Sequence, residues 1–101
     1  MIKKQPLKSK SVCKVTFGLT KKEIGRADKV YLVGEFNNWN ESTTELTKLK
    51  SGDFKLVLPL ESGKAYQFRY LVNGTDWVND SQADRYVNNG VSNDTNGVIE
   101  L

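Results

Sequence analysis

The chain has 101 residues, which fits one domain and leaves no room for a second. With 38% hydrophobic and 27% charged residues it reads as a globular chain able to bury one core without bridges or metals. Histidine is absent and cysteine occurs once, which excludes a His-dependent catalytic triad and argues against a zinc centre and a disulfide scaffold; no cofactor is expected.

Residues 1–10 hold Lys3, Lys4, Lys8 and Lys10 and read as a basic, flexible tail before a domain spanning 11–101. The tail lacks the apolar run of a signal peptide, and no stretch approaches the ~20 apolar residues of a membrane span. The net charge of +3 lies largely there. No arginine cluster or basic-aromatic stripe accompanies it, so a solvated surface is expected and a nucleic-acid partner is not. Residues 12–19 alternate, with Val15, Phe17 and Leu19 on one face. Cys13 falls in that alternation as a small core hydrophobe, and a lone cysteine fits a reducing, cytoplasmic location. Residues 20–29 are polar and read as a loop holding at most one helical turn. Residues 29–36 form a strand around Val30-Tyr31-Leu32-Val33 and run into the loop Asn37-Asn38-Trp39-Asn40. A short strand over 45–49 precedes the turn Ser51-Gly52-Asp53. Residues 54–60 place Phe54, Leu56, Leu58 and Leu60 on one face. Residues 65–73 place Tyr66, Phe68, Tyr70 and Val72 on one face and Gln67, Arg69, Leu71 and Asn73 on the other. Asn73-Gly74 is a hairpin signal. Trp77 and Val78 begin the return strand, residues 80–95 are long, polar and rich in asparagine, and residues 97–101 close the chain as a strand.

Six to eight short strands in such a length predict an all-β fold, an immunoglobulin-like sandwich, with a five-stranded barrel as the competitor. The unusual residues lie in its loops. Trp39 and Trp77 are surrounded by Asn37, Asn38, Asn40, Asn73, Asn79, Asn88, Asn89, Asn93 and Asn96. An indole can cover the C–H face of a pyranose, while amides and a guanidinium bond its hydroxyls in planar geometry. The same residues also fit a plain sandwich in which tryptophan is core and asparagine serves turns. Catalysis finds less support. Asp76, Asp80 and Asp84 lie among polar loop residues where carboxylates are solvated, and no phosphate loop or serine elbow is present.

Val30-Tyr31-Leu32-Val33-Gly34-Glu35-Phe36-Asn37-Asn38-Trp39 resembles the V-x-L-x-G-x-F-N-x-W signature of family-48 carbohydrate-binding modules. Tyr66-Gln67-Phe68-Arg69-Tyr70-Leu71-Val72-Asn73-Gly74 is similar to the strand and hairpin of the same family, as are Trp77-Val78-Asn79-Asp80 and the final Asn96 to Leu101. The resemblance spans about 11–101. It implies an early-set immunoglobulin-like sandwich that binds α-1,4-glucan, as in the glycogen-binding domain of the AMP-activated protein kinase β subunit. It implies a sugar site at Trp39, Trp77, Arg69 and Asn96; Asn73 and Asn38, nearby amides, are lesser candidates, and no catalytic residue is expected. Three positions depart from the family: arginine stands where the kinase subunit has lysine, Thr75 and Asp76 lengthen the hairpin before Trp77, and Ser81 replaces a proline. The alternative is an accessory or scaffold domain of the kind found with glycoside hydrolase family 13 enzymes. Such a domain would contact a glycogen- or starch-metabolising enzyme in trans. A hydrolase is the third reading, and the chain is far shorter than the catalytic barrel it would need.

Overall fold

In the computed structural model, residues 1–8, 11–90 and 94–101 are described. Nine strands are present among them: β1 (Ile2–Pro6), β2 (Val12–Leu19), β3 (Val30–Gly34), β4 (Thr47–Lys48), β5 (Phe54–Glu61), β6 (Ala65–Val72), β7 (Asp76–Val78), β8 (Arg85–Asn88) and β9 (Thr95–Glu100). One helical turn, α1 (Lys21–Ile24), follows β2, and a 3-10 turn (Glu35–Asn37) follows β3. Thr20 starts α1 with a reciprocal capping box to Glu23.

The strands form two antiparallel sheets, β1-β2-β5-β4 and β3-β6-β9-β8, with β7 pairing β6 beside β9. The fold is therefore an all-β sandwich and not a closed barrel. Alternation builds the core between the sheets. Val15, Phe17 and Leu19 of β2, with Phe54 and Leu60 of β5, meet Val30 and Leu32 of β3, Phe68, Tyr70 and Val72 of β6, and Ile99 of β9. The rings of Phe17 and Phe68 contact edge to face across the sheets, with centroids 5.4 Å apart. Cys13 is buried in this core.

Both flanks of the sandwich are stitched. On one, residues 44–48 run along the free edge of β3 and then along β5: Leu32 N–H donates to Thr44 O at 2.8 Å, Leu46 N–H to Val30 O at 2.8 Å, and Thr47 pairs Lys55. Leu46 is buried at this corner. On the other flank the expected tail is corrected. Ile2–Pro6 pairs β2 over its whole length, and Ile2 packs against the core. Lys3, Lys4, Gln5 and Pro6, all exposed, suit a solvated edge strand, so the segment gave no alternation to read. Lys4 Nζ donates to Asp84 Oδ2 at 2.6 Å and joins β1 to the opposite sheet. Ser9 and Lys10 of the expected tail, and Asn93 of the asparagine group, lie outside the described residues. The polar stretch 80–95 holds a second unanticipated strand, β8, whose register places Tyr86 opposite Gly97.

Candidate functional site

The register fixes what lies on the outer face of the β3-β6-β9 sheet. Val33 stands opposite Arg69, Tyr31 and Trp77 both flank Leu71, and Gln67 stands opposite Val98. Asn96 is two residues before Val98 and shares its face. Leu71 is buried on this outer face because two aromatic side chains flank it, although its strand neighbours there are polar.

Trp77 reaches this face through the hairpin. Asn73 and Gly74 take the left-handed conformation (φ 53° and 75°), and Thr75 N–H donates to Val72 O at 3.2 Å. The loop is thus Asn73-Gly74-Thr75, closed by the pair Val72–Asp76, and the next pair sets Trp77 opposite Leu71. The added hairpin residues are absorbed in the loop and the start of β7.

Trp39 is placed by the turn after β3. Gly34 ends the strand where no side chain fits, since a Cβ would lie 2.6 Å from Gln67 O and 2.8 Å from Phe68 Cβ. Glu35 Oε1 then accepts from Gln67 N–H at 2.7 Å, replacing the backbone partner that β3 no longer offers. Asn37 locks the turn: its Oδ1 accepts from Gly34 N–H at 3.1 Å, and its Nδ2 donates to Leu32 O and Thr44 Oγ1. Asn38 and Trp39 follow at φ 57° and 58°. A left-handed tryptophan is a strained backbone position. Trp39 N–H donates to Gly34 O at 2.9 Å.

These elements bound an open groove of 660 Å³. Trp39 and Glu41 come from the loop beyond β3, on one side of β6. Trp77 on β7 and Asn96 on β9 stand on the other. Val33, Gln67 and Arg69 lie between them, and Glu35 and Asn89 complete the lining. The two indoles are 38% and 40% exposed. The Arg69 guanidinium lies 5.5 Å from the Trp77 ring centroid and 4.0 Å from the Asp94 carboxylate, with its side chain only 13% exposed. Its Nε is buried without a hydrogen-bond partner among the described residues. Asn96 Nδ2 donates to Gln67 Oε1 at 3.1 Å, so these two amides form a short relay on the floor. Two flat apolar faces, a planar cation and a row of amides in one concavity can hold a ligand with apolar faces and hydroxylated edges.

Of the residues expected at a sugar site, Trp39, Trp77, Arg69 and Asn96 come together. Asn73 and Asn38 do not line the groove. Asn73 Oδ1 accepts from the N–H groups of Asp28 (2.8 Å) and Lys29 (3.2 Å), tying the loop before β3 to the hairpin. Asn38 is an exposed turn residue whose left-handed backbone explains its type. Of the other lining residues, Asn89 belongs to the asparagine group already noted and Gln67 shares the parity of Arg69, whereas Glu35 and Glu41 carried no functional signal in the sequence.

None of the three candidate acids lines the groove. Asp76 is exposed at the start of β7. Asp80, expected in solvent, is fully buried: it accepts from Tyr70 Oη at 2.8 Å, from Gln82 N–H at 2.8 Å and from the Met1 amine at 3.1 Å, and Tyr86 Oη donates to its carbonyl. Burial, with the Asp80 charge and this hydrogen bond, pushes the Tyr70 hydroxyl well above its ordinary pKa. Burial would raise Asp84, but the hydrogen bonds from Lys4 and Glu100 N–H and the Lys4 charge outweigh it and hold the carboxyl below its usual value. Among the described residues no group of three His, Cys, Asp or Glu side chains can hold a metal.

A family model described as the glycogen recognition site of AMP-activated protein kinase matches residues 22–100. Curated relatives include Cruciform DNA-recognizing protein 1 of Saccharomyces cerevisiae strains RM11-1a and JAY291, each 29% identical over 75 residues. The match takes in 71% of this chain and 16% of each relative, so the chain spans about a sixth of their length. Among solved structures, the enterobactin esterase FES from Shigella flexneri in the presence of enterobactin is similar with a TM-score of 0.75 at 9% identity. That likeness covers 99% of this chain and 32% of that one, and it is one of fold.

Proposed function

The chain belongs to the family of AMP-activated protein kinase glycogen recognition domains, a family of carbohydrate-binding modules, and from that premise we propose that its outer-sheet groove is where α-1,4-glucan binds. The observation that carries the reading is the convergence of Trp39, Trp77, Arg69 and Asn96 from four separate elements on one 660 Å³ concavity. Trp39 and Trp77 cover the C–H faces of glucose units, or clasp a turn of the helical chain. Arg69 grips vicinal hydroxyls with its fork, and the Asn96–Gln67 pair supplies amide donors and acceptors.

About 100 Å² covered at each indole is worth roughly 2–3 kcal/mol at ~25 cal/mol per Å². With a few hydrogen bonds and the cost of association, this gives a Kd between millimolar and micromolar, raised in effect by a multivalent polymer. The module acts by binding and performs no catalysis: Glu35, one of the groove's two carboxylates, is committed to Gln67 N–H. Glu35 and Glu41 also repel a phosphodiester backbone, so the name of the yeast relatives does not carry over to this groove. A glycogen- or starch-metabolising enzyme in trans is the fitting protein partner, in a reducing cytoplasm where the buried Cys13 thiol stays unpaired.

Calorimetry of the chain against maltoheptaose, with cellohexaose as the β-linked control, tests the reading. Binding of the first at sub-millimolar to millimolar concentration, weakened by Trp39→Ala in a folded variant, is expected. No heat with maltoheptaose at millimolar concentration sinks it and leaves the scaffold reading in front.

A further inference from the structure

A second cavity, of 370 Å³, shares no lining residue with the groove. It is bounded by α1 and the loop after it, and by β4 and the turn into β5. Four of its lining side chains are cationic, Lys21, Arg26, Lys48 and Lys50, and none is acidic. None of the four forms an ion pair among the described residues.

The walls hold two of these charges in place. Lys48 Nζ donates to Ala27 O at 2.9 Å and lies 5.9 Å from the Phe54 ring centroid. Gly52, at φ 92°, leaves room for the Lys21 stem, because a Cβ there would fall 2.9 Å from Lys21 Cδ. Lys21 N–H donates to Asp53 Oδ1 at 2.8 Å and pins the same residue to the turn. The nearby acids are engaged elsewhere: Asp53 on that backbone amide, and Glu23 in the capping box with Thr20. Arg26 and Lys50 are exposed on the rim, and the Ser51 hydroxyl adds a neutral donor.

Four like charges around one opening repel, and an anion relieves that repulsion while collecting charge-assisted hydrogen bonds. We infer that this cavity is a binding site for a phosphate monoester and, resting on the reading of the chain as a glucan-binding module, that the ester is one of a sugar, either a free sugar phosphate or an ester on a glucan chain. A phosphate monoester carries a charge of about −1.5 to −2 near neutral pH and three strong acceptor oxygens, matching several donors that converge on one concavity. A nucleic-acid strand has one charge per phosphate and calls for cations strung along a surface.

An amide-resolved NMR titration of the full chain with glucose-6-phosphate tests the site. Shifts are expected for residues 25–27 and 48–52 at millimolar concentration, with none there for glucose. The paired variant Arg26→Gln, Lys50→Gln removes two exposed charges and is expected to weaken the response about tenfold or more. If that pair melts early, Lys50→Gln alone carries the comparison. A phosphorylated maltooligosaccharide that acts at lower concentration than glucose-6-phosphate identifies the glucan ester as the ligand, and equal potency identifies the free sugar phosphate. Absence of shifts at the cavity, an undiminished response in a folded paired variant, or a short DNA duplex acting there at lower concentration overturns the assignment. Maltoheptaose shifts at Val33, Arg69 and Trp77 are read in the same spectra, so failure of this site and failure of the groove are told apart.

Discussion

Trp77→Ala removes one wall of the groove, and its effect can be worked from the exposed indole. Trp77 is 40% exposed. A tryptophan presents roughly 250 Å² in all, so about 100 Å² is open to a ligand. Covering all of it is worth about 2.5 kcal/mol at ~25 cal/mol per Å², and covering one face about half that. The Kd for maltoheptaose is therefore expected to rise between about 8-fold and 60-fold at ~1.4 kcal/mol per decade. Stability changes less, because the lost contacts lie on the outer face over Leu71, and a change near 1 kcal/mol is expected. Arg69 complicates the reading, since its guanidinium stacks on the same ring. Arg69→Lys keeps the charge without the planar stack, and the double variant then separates two roles. If Trp77 serves only to orient Arg69, the double variant binds like Arg69→Lys. If the indole itself covers sugar, the two losses accumulate. Titration calorimetry on the four proteins decides it. A folded Trp77→Ala that binds within twofold of the parent refutes the groove reading outright.

Gly34→Ala forces a Cβ to within 2.6 Å of Gln67 O and 2.9 Å of Phe36 Cζ, and is expected to cost about 1–3 kcal/mol by urea unfolding; an unshifted midpoint would show that the turn yields. Asn73→Ala loses two backbone donors' acceptor and a residue suited to φ 53°, so stability falls by about 1–2 kcal/mol while the maltoheptaose Kd stays within twofold. Tyr70→Phe takes one donor from the buried Asp80 carboxylate and is expected to destabilise by about 1–3 kcal/mol, again with binding intact. Asp84 has its folded pKa lowered, so its contacts stabilise the protein above the unfolded value of about 4 and lose that contribution as pH falls through the folded value. The gap between parent and Asp84→Asn, up to about 1 kcal/mol for a partly exposed pair, is thus expected at pH 6 and closes on acidification; a gap that widens in acid contradicts the assignment.

What the sequence made legible follows from periodicity. Strands β2, β5 and β6 each place apolar residues at every second position against the opposite sheet, and their spans and core faces read off directly. Arg69 was placed on the outer face by the same parity. Strand β1 was opaque because only Ile2 of its five residues packs inward, and β8 because it lies on the sheet edge within a polar stretch. Trp39, Trp77 and Asn96 were legible through residue type and family motif, and Arg69 through strand parity as well. Asn73 misled because it shares the parity of Arg69, yet the strand ends at Val72 and a left-handed backbone turns it toward the loop before β3. Glu35 and Glu41 were invisible because nothing in local sequence reports that a loop folds back over a neighbouring strand. Asp80 shows the converse. A carboxylate amid polar residues was buried by the ring of Tyr70 beneath it and the chain that closes over it.

The groove costs the fold something, and this bears on what it is for. Trp39 occupies a left-handed conformation, a strain of about 1–3 kcal/mol in a residue whose indole is 38% exposed and adds little to the core. Arg69 is nearly buried, and its Nε has no hydrogen-bond partner among the described residues, which lowers stability further. Each is held by neighbours that have other reasons to be where they are: Asn37 and Gly34 fix the turn before Trp39, and the Leu71–Trp77 pair fixes the ring against which Arg69 lies. A side chain held by such contacts in the free protein loses less on binding than an ordinary surface side chain, which would lose about 0.5–1.5 kcal/mol. Two shallow contacts with a hydrated sugar have little free energy to spare for such ordering. On the proposed reading, a groove preformed in this way leaves more of the contact free energy for holding a glucan.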